Sequence, residues 1–204
     1  MLSQLETAMD AIIKVFHKYS GKEGDKYTLS RSTLKDLLNE EFKNFLKEQQ
    51  YSKNVDNFMT ELQCDNQVNF KEFMGLVTAI TITWKGFLDD HWKKQWMGQP
   101  TVNSKMLSQL ETAMDTTIKV FSKYSGKEGD KYTLTKAELK DLLKKELKSF
   151  LENQDKSVDK FMTELTCDEQ VDFKEFMRLV TAIAIECNVF PTLRCGTSMD
   201  CVII

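Results

Sequence analysis

The stretch that decides the fold is KYSGKEGDKYTL, at Lys18 to Leu29, which recurs letter for letter at Lys123 to Leu134. It contains glycines, acidic residues and hydroxyl side chains, and apolar residues at helical spacing stand on both sides of it. A second identical pair, MLSQLETAMD, lies upstream at Met1 to Asp10 and at Met106 to Asp115. Two repeats at the same separation indicate a duplicated domain, since self-similarity at a fixed period marks repeated structural units.

The rest of the repeat confirms one unit of about 90 residues, which is large enough for a small hydrophobic core. After Leu46 and Leu151 the copies differ in length by two residues. VNFKEFM at Val68 to Met74 then matches VDFKEFM at Val171 to Met177. The boundaries predicted from this alignment are a first domain at 1–83, a linker at 84–105, a second domain at 106–187 and an irregular tail at 188–204.

Composition fits a globular chain and excludes several classes of function. The 204 residues have a formal net charge of -3, which leaves no basic footprint for nucleic acid or a membrane surface. The apolar runs are shorter than the roughly 18 residues of a membrane span, and the N-terminus does not resemble a secretory signal. The odd number of cysteines, five, predicts reduced thiols and a cytoplasmic location.

Each copy is predicted to contain four helices and two loops, an all-α arrangement. Apolar residues at helical spacing mark the first helix, and Ser3 with Glu6 forms a capping box at its start. The second helix follows the glycine-containing loop, a third covers about 55–62, and a fourth covers about 70–82. The aromatic segment after residue 83 is compatible with an extension of the fourth helix.

The first loop of each copy is a candidate calcium site. Calcium takes oxygen ligands around a tight turn and a bidentate carboxylate from the following helix. The second copy offers Glu138 for that role, whereas the first copy has Thr33 at the matching position. A hydroxyl cannot chelate, so the first-copy site should be much weaker. Thr135 and Glu138 also form a capping-box pattern, and the role of Glu138 as ligand or as cap stays open here.

The second loop of each copy lacks the pattern of a standard calcium loop. Between Leu62 and Glu72 the chain offers QCDNQVNFKE, two residues too few and without glycine, and the segment ending at Glu175 has the same shortfall. Because a shortened loop cannot wrap its carboxylates around one ion, the acidic residues are interpreted as turn residues. These are Asp65, Asp168 and Asp172.

The motifs SQLETAMD, KYSGKEGDKYTL, LKDLL and VDFKEF together resemble the S-100 family of small EF-hand proteins, over about nine-tenths of the chain. The resemblance implies two EF-hand-pair domains and a first loop that binds calcium through carbonyl oxygens and one closing Glu. The second-copy residues that match this pattern are Ser125, Glu128, Asp130, Thr133 and Glu138. The first-copy residues, which imply a weaker site, are Ser20, Glu23, Asp25 and Thr28.

The resemblance also implies dimer-like packing and target binding. Family members pair through their first and fourth helices, so two copies in one chain suggest an internal pseudo-dimer, with a homodimer of chains as the alternative. The target surface would bind amphipathic helices of partner proteins. Its first-copy candidates are Phe42, Phe45, Leu46, Phe73, Met74 and Val77. Its second-copy candidates are Leu147, Phe150, Leu151, Phe176, Met177 and Val180, and most of these twelve residues also suit a hydrophobic core.

Two further features have a weaker interpretation. His17 and His91 are the only histidines, and the other ligands that a zinc site needs are not evident, so zinc is not expected. The chain ends CVII, which fits the pattern for prenylation of Cys201. No basic cluster precedes that cysteine, and Ile is not a usual final residue, so the modification is only a hypothesis.

The sequence therefore predicts a calcium-binding sensor or adaptor with weak calcium binding, mainly in the first loop of the second copy. The alternative is a calcium-independent scaffold that has lost all its metal sites, as the annexin-binding member of the family suggests. An enzyme is not expected, because the sequence offers no nucleophile–base arrangement and no glycine-rich phosphate loop.

Overall fold

The computed structural model of the protein describes residues 2–23, 25, 27–44, 67–94, 107–125, 132–150 and 170–189, with the backbone alone at 23, 87–94 and 187–189. The first copy contains α1 (Gln4–Ser20), a short 3-10 turn (Gly21–Glu23), β1 (Thr28–Ser30), α2 (Arg31–Glu41), β2 (Gln67–Asn69) and α3 (Phe70–Lys94). The second contains α4 (Gln109–Ser125), β3 (Thr133–Thr135), α5 (Lys136–Glu146), β4 (Gln170–Asp172) and α6 (Phe173–Val189). The all-α prediction is confirmed, and the predicted third helix lies outside the described residues.

A three-residue antiparallel ladder joins the two loops within each copy. In the first copy Leu29 is paired with Val68, and in the second Leu134 is paired with Val171. All four side chains are buried, so each ladder is anchored in the core at its central residue. The pairing places the end of the first loop beside the end of the second.

The helix starts follow the capping chemistry of the sequence. The capping box predicted from Ser3 and Glu6 is confirmed, since the Ser3 hydroxyl accepts from the Glu6 N–H and the Glu6 carboxylate accepts from the Ser3 N–H. Ser30 caps α2 through the backbone N–H of Thr33, and Thr135 caps α5 through that of Glu138.

Each copy has the same aromatic centre. The ring centroid of Phe16 lies 5.1 Å from that of Phe70 and 5.3 Å from that of Phe73. The corresponding distances from Phe121 to Phe173 and Phe176 are 5.1 and 5.4 Å. The three aromatic residues are identical in the two copies, and their rings pack at nearly the same distances.

The two copies contact each other through their first and fourth helices, α1 against α4 and α3 against α6. Between the fourth helices, the hydroxyl oxygens of Thr78 and Thr181 lie 2.6 Å apart in a hydrogen bond. At the start of each first helix, the capping serine reaches across. Ser3 donates its hydroxyl to the carbonyl of Glu146, and Ser108 donates to the carbonyl of Glu41.

The fourth helix of the first copy is longer than the predicted span of about 70–82. It continues to Lys94, through the aromatic segment that the sequence allowed as an extension. Burial explains part of the extension, because Trp84 and Lys85 are 6% and 7% exposed and therefore packed against the rest of the protein. In the second copy α6 continues to Val189, two residues past the predicted boundary. Among the described helices, none has the length and apolarity to cross a membrane.

Candidate functional site

The first loop of the second copy lies between Ser125, at the end of α4, and Glu138, in the first turn of α5. Ser125 is 1% exposed and Glu138 is 6% exposed. Thr133 begins β3 and is half-buried, while Glu128 and Asp130 lie outside the described residues. The described members of the predicted ligand set thus stand at the two ends of the loop.

Glu138 is engaged as a helix cap in this structure. Its Oε2 accepts hydrogen bonds from the Thr135 N–H at 3.0 Å and from the Thr135 hydroxyl at 3.3 Å. The Thr135 hydroxyl oxygen in turn accepts from the Glu138 N–H at 3.2 Å. The cap, one of the two roles that the sequence left open, is therefore present.

The equivalent loop of the first copy has lost the closing carboxylate. Thr33 occupies the position of Glu138, and its side-chain oxygen accepts a 3.2 Å hydrogen bond from the hydroxyl of Ser30. A threonine hydroxyl offers one neutral oxygen where calcium needs a chelating carboxylate. This end of the loop supplies no anionic ligand.

Two other predicted residues of the first-copy loop are brought together. The Asp25 carboxylate accepts from the Thr28 hydroxyl at 2.7 Å and from the Tyr27 N–H at 2.9 Å. These two hydrogen bonds hold the pKa of Asp25 below its ordinary value, and the bond from Thr28 has the larger effect. Ser20 is fully buried at the start of the loop, and only the backbone of Glu23 is described.

A hydrogen bond between a tyrosine and a glutamate links the two helices on either side of each first loop. The Tyr124 hydroxyl and the Lys123 ammonium both donate to Glu146 Oε1 at 3.1 Å. Burial, together with the hydrogen bond to Glu146 and its negative charge, raises the pKa of Tyr124 to about 12. In the first copy Tyr19 and Lys18 make the same contacts to Glu41 at 3.4 Å. Burial and the charge of Glu41 raise the pKa of Tyr19.

These contacts are not evident from the sequence. The partners are 22 residues apart in each copy, and they belong to different helices. The signal available was the recurrence of the same pair in both copies at the same separation. Because Tyr124 directly precedes Ser125, the contact fixes the start of the loop to the end of α5.

The ends of the second loops are also capped. The Glu72 carboxylate accepts from the Asn69 N–H at 2.9 Å, and that of Glu175 accepts from the Asp172 N–H at 3.0 Å. The Asp172 carboxylate in turn accepts a hydrogen bond from the Glu175 N–H at 2.7 Å. Asp65 and Asp168 lie outside the described residues. Within the described part of the chain, no three His, Cys, Asp or Glu side chains are grouped as a metal site would require.

The described members of the predicted target surface are buried. None of them is more than 4% exposed: Phe42, Phe73, Met74, Val77, Leu147, Phe150, Phe176, Met177 and Val180. Phe45, Leu46 and Leu151 lie outside the described residues, as does Cys201. His17 is half-buried, with its ring 5.6 Å from that of Phe16 in an edge-on contact. In this conformation the apolar side chains therefore form core, and a partner helix could reach them only after the copy opens.

Two loops joined by a short ladder, each loop followed by a capped helix, define a pair of EF-hands, the calcium-binding helix–loop–helix class. The family model for the S-100/ICaBP type calcium binding domain matches residues 5–49 and again residues 110–154. The chain therefore carries two copies of an S-100 type calcium-binding domain in tandem.

Proposed function

We propose that the protein is a calcium-responsive adaptor whose metal binding is weak and resides mainly in the first loop of the second copy. The observation that carries the proposal is the difference between Glu138 and Thr33 at matching positions of two otherwise similar loops. The ligands proposed for the second copy are Ser125, Glu128, Asp130, Thr133 and Glu138.

The hydrogen bonds of Glu138 give a physical reason for weak binding. Calcium would take both carboxylate oxygens, and Oε2 already accepts two hydrogen bonds from Thr135. Binding must therefore break or rearrange a cap, and such caps are worth about 0.5–2 kcal/mol. A loss of about 1.4 kcal/mol lowers an affinity tenfold. Helix capping and calcium binding thus compete for the Glu138 carboxylate.

Calcium titration by calorimetry tests the site. We expect one weak site per chain, reduced at least tenfold by Glu138→Gln, because glutamine can still cap a helix but cannot chelate calcium. The matched control is Glu175→Gln, which alters the capping carboxylate at the end of the second loop of the same copy. Two or more tight sites, or equal losses in both variants, would contradict the proposal.

The partners that we propose are amphipathic helices of target proteins, bound after calcium opens a copy. The buried Phe, Met and Leu side chains of both copies offer the kind of apolar groove that such helices bind. Calcium-dependent binding of a hydrophobic dye measures the opening. Dye binding that does not change on saturation with calcium would contradict this step.

We also propose that the two copies form an internal pseudo-dimer in solution, in place of a homodimer of chains. The contacts of α1 with α4 and of α3 with α6 support it, as do the reciprocal bonds of Ser3 and Ser108. We further propose a cytoplasmic binding protein and not an enzyme, in keeping with the two S-100 type calcium-binding domains.

A second candidate function is a calcium-independent scaffold. It is favoured by the cap of Glu138, which gives this carboxylate hydrogen-bond partners without an ion. Its test is the effect of a chelator on capture of target proteins. Binding that is unchanged by chelator supports the scaffold, and binding that is abolished supports the sensor.

A further inference from the structure

Lys85 of the first copy lies among aromatic rings of the second. Its ammonium nitrogen is 5.4 Å from the ring centroid of Phe173, 5.7 Å from that of Phe121 and 5.9 Å from that of Tyr132. The residue is only 7% exposed. A cation at this range from aromatic faces is attracted by their negative π-systems, and the attraction is stronger where water is excluded. Lys85 therefore brings a positive charge from one copy into the other.

The contact is one-sided because the sequence provides only one lysine for it. When VNFKEFM is aligned with VDFKEFM, the residue that matches Lys85 is Asn188, which carries no charge. The tyrosines at the ends of the two loops differ accordingly. Tyr132, beside Lys85, is 39% exposed, whereas its counterpart Tyr27 is 65% exposed.

The position of Tyr132 connects Lys85 with the second-copy loop. Tyr132 directly precedes Thr133, which begins β3 and belongs to the proposed ligand set. Calcium held by the carbonyl of Thr133 would lie one residue along the chain from the ring that Lys85 contacts. A divalent cation and an ammonium group so placed repel each other.

We infer that Lys85 is an affinity-setting residue for the calcium site of the second copy: its charge weakens calcium binding, and calcium loosens its contact with the second copy. The inference rests on the proposed function, since it concerns the same loop. Removal of the charge is expected to tighten calcium binding about three- to tenfold, the order expected when one repulsion between like charges near a partly wet surface is relieved. Linkage requires calcium to weaken the Lys85 contact by the same factor.

Calorimetric titration of three full-length variants tests the first half of the inference. Lys85→Met removes the charge and keeps an apolar stem, while Lys85→Arg keeps a cation that also stacks on aromatic rings. Lys71→Gln removes one charge from an exposed site in the first turn of α3, about 21 Å along the helix from Lys85. Tighter binding is expected for Lys85→Met alone, at the site that Glu138→Gln removes. Circular dichroism establishes that the variants keep their helices.

Every other result of the titration overturns either the inference alone or the proposed function on which it rests. Equal affinity in all three variants and the unchanged protein overturns the inference and leaves the proposed function standing. Equal tightening by Lys85→Met and Lys85→Arg overturns it in favour of a packing effect. Absence of calcium binding in every protein overturns the proposed function together with the coupling.

The effect of calcium on the contact between Lys85 and the second copy is measured in a separate experiment. Reductive methylation, followed by mass spectrometry, reports how accessible each lysine is in the full chain. Calcium is expected to increase the labelling of Lys85 several-fold and to leave Lys71, which is already exposed, unchanged. A Lys85 labelling rate that is the same with and without saturating calcium would overturn the coupling.

Discussion

Glu6 of the first copy accepts a hydrogen bond from the backbone N–H of Phe150 in the second, with 3.1 Å between Oε1 and the nitrogen. The other oxygen of the same carboxylate accepts from the Ser3 N–H at 2.9 Å, within the capping box of α1. Glu111 repeats this arrangement towards the first copy, where Asn44 donates its backbone N–H at 3.0 Å and its side-chain amide at 2.8 Å. Each first-helix cap is thus also a contact between copies.

Removal of either capping serine should destabilise the folded chain by more than the loss of an ordinary helix cap does. Ser3→Ala and Ser108→Ala each lose a cap and a bond to the other copy, so a loss of about 1.5–3 kcal/mol is expected. Urea unfolding measures it. Ser32→Ala, at an exposed serine in the first turn of α2, is the control and should change stability by less than about 0.5 kcal/mol. Equal effects at all three sites would argue against a structural role of the cross-copy bonds.

Cleavage between the copies should leave them associated. The intact chain is expected to sediment as a monomer of 23.7 kDa. A protease site introduced between α3 and α4 would release two halves that still co-elute, because α1 and α3 contact α4 and α6 directly. Separation of the halves after cleavage, or a dimeric mass of the intact chain, would contradict the pseudo-dimer.

Thr33→Glu should create a second calcium site in the first copy. The substitution restores both the closing carboxylate and the pattern Ser30-x-x-Glu of a capping box, since Ser30 already caps the Thr33 N–H. Calorimetry should then find two weak sites per chain in place of one. The matched control is Thr33→Gln, which restores the cap without a chelating group. A second site in the Gln variant would show that the carboxylate is not the missing element.

Tyr124 should titrate later than an ordinary tyrosine, because its pKa in the folded protein is raised to about 12. Its folded pKa lies above the value near 10 of the unfolded chain, so the stability it contributes is complete below pH 10 and is lost as the pH rises towards 12. Tyr124→Phe removes this part of the pH dependence. Absorbance of the tyrosinate and urea unfolding at several alkaline pH values measure the two effects. Titration of Tyr124 near pH 10 would contradict the role of its buried contact with Glu146.

Local chemistry explains which features could be predicted from the sequence. The capping box of Ser3 and Glu6 needs only residues in neighbouring positions, and the periodic apolar residues around it predict the first helix in either copy. The sequence left the extension of the fourth helix open, because the burial of Trp84 and Lys85 depends on what the helix packs against. The contact between Tyr124 and Glu146 depends in the same way on how two helices meet.

The sequence by itself determined the duplication, the helical class and the unequal ends of the two first loops, since Glu138 and Thr33 are properties of single positions. Only the tertiary structure decided that Glu6 and Ser3 hold the other copy and that Lys85 lies among the rings of Phe121, Tyr132 and Phe173. The physical reason is distance along the chain. Caps form between residues a few positions apart, whereas contacts between copies join residues far apart in sequence whose meeting depends on the packing of whole helices.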